Sequence, residues 1–241
     1  MRQQRSSSRK PLRSCLSLSP QNKSRKICRD GSESGDQCHF GGAFLTNMIA
    51  ALFVSPNGPY AGLPNVEIWD ELRDARRYDG PHPVVAHPPC SRWCRLAGLV
   101  EARWGHKRGD DGGCFESALS SVRTWGGVLE HPAYSDAFLA FGLPAPTPGG
   151  WQRTLCGGWV AHVEQGRYGH PAKKATWLYA HGVSQLPSLD WQAIPDTASS
   201  ALVSWCGNHT SKFEQRPRVG KAVASRTPDA FRDQLLSIAS A

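Results

Sequence analysis

Apolar runs of strand length alternate with helically spaced apolar positions along this chain. The sharpest run is Val84-Val85-Ala86, set between Pro83 and His87-Pro88-Pro89-Cys90. Proline has no amide proton to give to a sheet ladder, so a strand here must stop at the Pro-Pro pair. Beyond Cys90, Trp93, Leu96, Ala97, Val100 and Trp104 recur at three- and four-residue spacing, which predicts a helix. A second helix is predicted over Cys114–Trp125 from Phe115, Ala118, Leu119 and Val122, with Gly126-Gly127 as its stop. Val128-Leu129 then opens another apolar strand, closed by Glu130-His131-Pro132. Strand, helix, helix, strand over this length is a crossover unit, and a crossover joins parallel strands. Cys90 and Glu130 are therefore expected to leave the same edge of one sheet.

Ile49–Ser55 and Val66–Asp70 read as two earlier strands, separated by the turn Pro56-Asn57-Gly58-Pro59 and a loop containing Gly62. Glu71–Tyr78 is charged and reads as helical or irregular. Asp136–Gly142 suits a short helix. Trp159–Val163 and Thr176–Ala180 suit strands flanking a basic, glycine-containing loop from Glu164 to Lys174. Residues 182–226 show little periodicity and much Pro, Ser and Gly. Thr227-Pro228 then opens a final amphipathic helix carrying Phe231, Leu235, Leu236 and Ile238. No internal repeat is visible.

With 241 residues, the chain suits one domain with an extension. Its formal charge of +8 is concentrated in residues 1–47, which hold nine Lys/Arg against three Asp/Glu. That segment is poor in apolar residues and cannot offset its ordering entropy, so it is expected to be disordered. It is either a basic nucleic-acid arm or an extension preceding a start at Met48. Residues 48–241 are nearly balanced in charge, so the basic pI says little about what the folded part binds. No stretch has the length of a membrane span, and no secretory apolar core is seen. Eight dispersed cysteines suit a reducing cytoplasm.

Cys90 is the leading candidate for chemistry. At a strand's carboxyl end and a helix's amino end, unpaired amides and the helix dipole favour a thiolate. The competing reading is an inert packed cysteine. In the strand–loop–strand opening, Ser55 and Gly58 are candidates to line a nucleotide-type cofactor. Glu67 or Asp70 could accept from a ribose hydroxyl, or serve as solvated strand-end charges. Lys173 and Lys174 suit phosphate contacts or a solvated loop. Trp93 is the tryptophan best placed to stack on a base, the others reading as core. Cys90, Cys94, His106 and Cys114 are a zinc alternative of irregular spacing, and Cys28, Cys38 and His39 lack a fourth ligand. His87 and His170 read as structural hydrogen-bonders, Cys156 and Cys206 as packing.

The strand-end Pro-Pro-Cys, the strand-end Glu130 and the downstream Gln165-x-Arg167 occur in an order that resembles the DNA cytosine-5 methyltransferases. More closely, the chain resembles small phage and prophage proteins related to them, with His-Pro-Pro-Cys and a Gly-x-Pro-x-x-Lys-x-Thr-x-Leu stretch. The matching segments are His87–Cys90, Leu129–Pro132 and Gln165–Tyr179, within residues 48–182. The resemblance implies that Cys90 adds to cytosine C6 and that Glu130, with its pKa raised by burial, bonds and protonates N3. Arg167 would hold the base carbonyl or a flanking phosphate, and Gln165 would lie in the nucleic-acid loop. DNA would be the partner, its base flipped from the duplex. S-adenosylmethionine would be the donor, bound near the loop after Ser55 with Pro88 beside it. The chain departs from the pattern at Ser91, His131 and Gly169, where glutamine, asparagine and arginine are usual, and it lacks the glycine-rich donor loop.

The expected architecture is an α/β domain over residues 48–241, three-layer and Rossmann-like with a mostly parallel sheet. The expected activity is methyl transfer to cytosine C5 in a bacterial host cytoplasm, with no metal. Two alternatives stand beside it: donor-independent, cysteine-dependent modification of a pyrimidine or nucleotide, and a catalytically silent nucleic-acid-binding relative.

Overall fold

Three apolar residues between breakers build the central strand, and the rest of the sheet grows outward from it. The structure, a computed structural model, describes residues 48–94, 97–195, 201–203 and 217–241. The basic extension, Cys28, Cys38, His39, Cys206 and Leu96 lie outside the described residues. The strands are β1 (Ile49–Leu52), β2 (Val66–Trp69), β3 (Val84–Ala86), β4 (Gly127–Pro132), β5 (Gln152–Arg153), β6 (Trp159–Glu164), β7 (Ala175–His181), β8 (Leu202–Val203) and β9 (Arg218–Val219). The α-helices are α1 (Ala97–Trp104), α2 (Cys114–Trp125), α3 (Asp136–Ala140), α4 (Lys221–Ser225) and α5 (Asp229–Ser240).

Seven strands form one mixed sheet in the order β2-β1-β3-β4-β7-β6-β5, and β8 pairs with β9 separately. The fold is α/β, but the sheet is evenly mixed rather than mostly parallel. β2–β1, β1–β3 and β3–β4 are parallel, whereas β4–β7, β7–β6 and β6–β5 are antiparallel. The reason is loop length. β5 and β6 are joined by a tight turn in which Thr154 N donates to Gly158 O at 2.8 Å, and β6 and β7 by one short loop. Such links reverse the chain, and a parallel pair needs a crossover. The crossover expected between β3 and β4 is present, and Ala86 stands beside Leu129 in parallel register.

Strand side chains alternate between two apolar clusters. Ala50, Leu52, Val84, Ala86 and Leu129 pack with Phe115, Leu119 and Val122 of α2 and Phe138 of α3. Ile49, Ala51, Val85, Val128 and Leu178 pack with Phe231, Leu235 and Ile238 of α5. Helices thus cover opposite faces of the sheet, and the described residues belong to one compact unit.

Several boundaries differ from the pattern. β1 ends at Leu52 because Phe53 turns to φ 59°, a value costly for a bulky side chain. α1 begins at Ala97 rather than near Trp93, because residues after Cys90 first form a turn. α5 is capped at Pro228 with no side-chain cap bond. Thr227 does not act as its N-cap. Glu71–Tyr78 contains only a short 3-10 turn, Ala75–Arg77.

Candidate functional site

The parallel register of β3 and β4 sets the carboxyl end of β3 beside the middle of β4, which runs on to Pro132. One residue beyond Ala86 and Leu129 stand His87 and Glu130, on the sheet face that carries Val85 and Val128. His87 Nδ1 and Glu130 Oε2 are 2.9 Å apart. The other carboxylate oxygen, Oε1, accepts from Gln165 Nε2 at 3.0 Å. Gln165 opens the turn after β6 and also donates to Thr176 Oγ1 on β7 at 3.0 Å. On the far side, the Tyr60 hydroxyl lies 2.8 Å from His87 Nε2. Five side chains from the loops after β1, β3 and β6 and from strands β4 and β7 form one hydrogen-bonded row at the sheet edge.

Tyr60 was not legible as a site residue. It sits among loop residues with no motif around it, and only the fold brings it to His87. Thr176 carries only a strand pattern in the sequence, and His87 suits a structural hydrogen-bonder. Spacing carries one signal, since His87 follows the end of β3 by a single residue and Glu130 follows Leu129, the β4 partner of Ala86, by the same step.

Burial raises the pKa of the Glu130 carboxyl, but the His87 hydrogen bond and the charges of His87, Lys174 and His131 outweigh it, and the net shift is downward. The expectation of a raised pKa is overturned, because the sequence gave no sign of how completely Glu130 is paired. Cys90 moves the other way. Burial first, then Glu130 and Cys94, push its thiol up to about 11, against an opposing pull from Lys174. The expected thiolate at a helix terminus is therefore also overturned. The Cys90 carbonyl accepts from Trp93 N at 3.0 Å and Cys94 N at 2.9 Å in a turn, and no regular helix starts there. At neutral pH the site holds a protonated thiol and an ionised carboxylate, and the thiol becomes a nucleophile once its proton is taken.

Lys174, half-buried and at φ 42°, donates to the carbonyls of Arg226 at 2.8 Å and Ser225 at 3.4 Å. Its charge acts on both Glu130 and Cys90. Lys173 instead pairs with buried Glu164 at 3.2 Å. Arg167 is exposed, and its guanidinium donates to the Gln192 and Ala193 carbonyls at 3.1 and 2.9 Å. Trp93 is buried rather than presented to a base. It packs on Phe115 and Phe141 and donates to Asp111 Oδ2 at 2.8 Å. Its apolar neighbours win because the turn after Cys90 swings it inward. Pro88 is buried.

The candidate cofactor residues lie at the ends of β1 and β2, where strand order reverses across β1. Leu52 and Trp69 are in parallel register, so the Ser55–Gly62 loop and Asp70 share one edge. Ser55 is exposed and closes a turn by accepting from Gly58 N at 2.9 Å. Asp70 Oδ1 accepts from Arg73 N at 2.9 Å. Glu67 is not at the strand end. It lies opposite Ala50, with its carboxylate on Arg73 at 2.7 Å. Asp70 thus lies one residue beyond β2, beside the point where strand order reverses, the place where open α/β sheets bind ligands.

Among the described residues, no group of three or more His, Cys, Asp or Glu side chains is arranged to hold a metal. The zinc alternative through Cys90, Cys94, His106 and Cys114 is not assembled. No described helix is long and apolar enough to cross a membrane. No family model matches the chain, and neither a curated protein nor a solved structure matches it.

Proposed function

We propose that this chain is a base-modifying enzyme of the DNA cytosine-5 methyltransferase type, built as a three-layer, Rossmann-like domain and acting on DNA in a bacterial host cytoplasm. The observation that carries the reading is the shared edge of β3 and β4. Cys90 lies in the turn beyond β3 and Glu130 in the neighbouring parallel strand β4, with one carboxylate oxygen on His87 and the other accepting from Gln165. Helices on both sheet faces and the reversal at β1 support the architecture.

The resting protons suggest the order of events. Glu130 takes the Cys90 proton as the sulfur adds to cytosine C6, then passes that proton to N3, leaving an enamine nucleophilic at C5. S-adenosylmethionine, when bound by the loop after β1 and Asp70, supplies the electrophilic methyl group. Loss of the C5 proton to water, expulsion of the sulfur and return of the N3 proton through Glu130 would restore Cys90 as a thiol. Lys174 steadies the negative charge shared by the sulfur and the carboxylate. Arg167 is exposed on the same loop, where a DNA backbone can be met, while Lys173 is half-buried on Glu164.

The test is covalent trapping on duplex DNA containing 5-fluorocytosine, read by intact mass spectrometry with and without S-adenosylmethionine. A donor-dependent adduct that Cys90→Ser abolishes is the expected result. An adduct formed equally without donor would replace this reading with donor-independent modification. DNA binding with no adduct, indifferent to Cys90→Ser and Glu130→Gln, would replace it with a silent binding protein.

A further inference from the structure

The hydrogen-bonded row does not begin at Glu130 but two side chains earlier, at Tyr60. Tyr60 is 1% exposed and sits in the apolar cluster under α5, with Ile49, Val85 and Phe231. Its hydroxyl bonds to His87 Nε2 at 2.8 Å, and the rings lie 5.4 Å apart. A phenol has a single proton to give. If Nε2 carried a proton, it would donate to the tyrosine oxygen, and the tyrosine proton would need a second acceptor among apolar side chains. At the same time Nδ1, if unprotonated, would aim a lone pair at a carboxylate oxygen 2.9 Å away. Both ends of the imidazole therefore demand one assignment.

We propose that Tyr60 and His87 are positioning residues for Glu130: the Tyr60 hydroxyl donates to Nε2, holding His87 as the neutral Nδ1–H tautomer whose proton clamps Glu130 Oε2. Gln165 clamps Oε1 from the other side, so the carboxylate is fixed in plane. This assignment rests on the reading of Glu130 as the carboxylate that faces the base. The groups around the chain are consistent with it. Glu130 also feels Lys174, His131 and Cys90. Tyr60 feels Arg232 and Asp233 of α5, and Arg232 donates to the Pro59 carbonyl at 2.8 Å. Burial raises the Tyr60 pKa well above its ordinary value, so Tyr60 keeps its proton and orients the imidazole rather than feeding protons through it.

Two readouts test this. Long-range proton–nitrogen correlation spectra of the histidine rings, with His87 assigned by its loss in His87→Asn, report the tautomer directly in the wild-type protein. The expected pattern is neutral, protonated at Nδ1, and Tyr60→Phe abolishes that pure pattern. In the trapping assay, Tyr60→Phe slows adduct formation about tenfold and moves its pH midpoint by about one unit with DNA affinity unchanged. His87→Asn, which keeps an amide donor near the Nδ1 position, retains more rate than His87→Leu. An Nε2–H tautomer or an imidazolium in the wild type near neutral pH overturns the proposal. So does a Tyr60→Phe protein with unchanged tautomer pattern and pH profile. Should the wild type form no adduct at all, the methyltransferase reading falls, while the His87 tautomer and its response to Tyr60→Phe still decide the positioning role.

Discussion

Gly127 lies against Val84 so closely that a Cβ on it would stand 2.0 Å from the Val84 carbonyl oxygen and 2.7 Å from the Val84 nitrogen. Gly127 also has φ 114°, a value side-chain-bearing residues rarely adopt. This contact opens the β3–β4 pairing, which leads to His87 just past β3 and to Glu130 within β4. Gly127→Ala should lower stability by about 3 kcal/mol or more, through strain and overpacking together. Gly62→Ala, at φ 71° with nothing within 4 Å, should cost only about 1 kcal/mol. Urea unfolding of both variants checks the contrast, and equal losses would contradict it.

His131 should make the protein sensitive to mild acid. It is 0% exposed, with its ring edge-on to Phe115 at 5.1 Å. Burial pushes its pKa down from 6.5 to about 4. The unfolded chain takes up a proton below 6.5 while the folded chain resists, so this stability is complete above 6.5 and is lost as pH falls toward 4. The loss amounts to about 3 kcal/mol. His131→Asn should flatten the stability curve across that window, whatever its starting stability. The downward shifts of His162, His170 and His181 leave a smaller slope of the same sign.

Glu130 acts lower on the pH scale. Its folded pKa lies below the ordinary 4.5, so its contribution is present above that value and disappears as pH falls through the folded pKa. Glu130→Gln should remove this acid limb, and because the Glu130 charge favours protonated His131, the His131 limb should persist and deepen. A Glu130→Gln protein whose stability below about pH 4.5 fell as steeply as wild type would count against the carboxylate assignment.

Cys90 should alkylate slowly at neutral pH, its rate climbing toward pH 11. Lys174→Met removes the opposing cation and should slow it further. Glu130→Gln removes a repelling charge and should speed it several-fold. Peptide-level mass spectrometry after iodoacetamide treatment separates Cys90 from Cys94 and Cys114. A rate at Cys90 already on its plateau near neutrality would show a thiolate and overturn the proton inventory.

How legible the molecule was in its sequence depended on whether a signal was local. α2 spans the predicted Cys114–Trp125, and β3 the predicted Val84–Ala86, because Gly-Gly and Pro-Pro punctuation coincides with apolar spacing there. The crossover rule placed Cys90 and Glu130 at one edge before any contact was known. The two-residue strands β5, β8 and β9 carry too few positions to show a period. The protonation states were inverted for the same kind of reason. They depend on His87, Lys174 and Cys94 converging in space, and nothing in Pro-Pro-Cys announces a lysine anchored to the carbonyls of Ser225 and Arg226. Tyr60 lies 27 residues from its partner His87, a separation no local pattern bridges.

α5 covers the sheet face beneath the row from Tyr60 to Thr176, yet it follows every strand of that sheet in chain order. On the ribosome, β1 to β7 emerge with Ile49, Val85, Val128 and Leu178 bare until Asp229–Ser240 appears. For that interval the nascent chain displays a sticky apolar sheet, the kind of surface that chaperones hold and that otherwise aggregates. The carbonyls of Ser225 and Arg226 at the end of α4, which anchor Lys174, arrive in the same late stretch, just ahead of α5. Lys174 is therefore anchored late in synthesis, and a chain halted before Lys221 holds every strand of the seven-stranded sheet but neither that anchor nor the helix that covers the sheet.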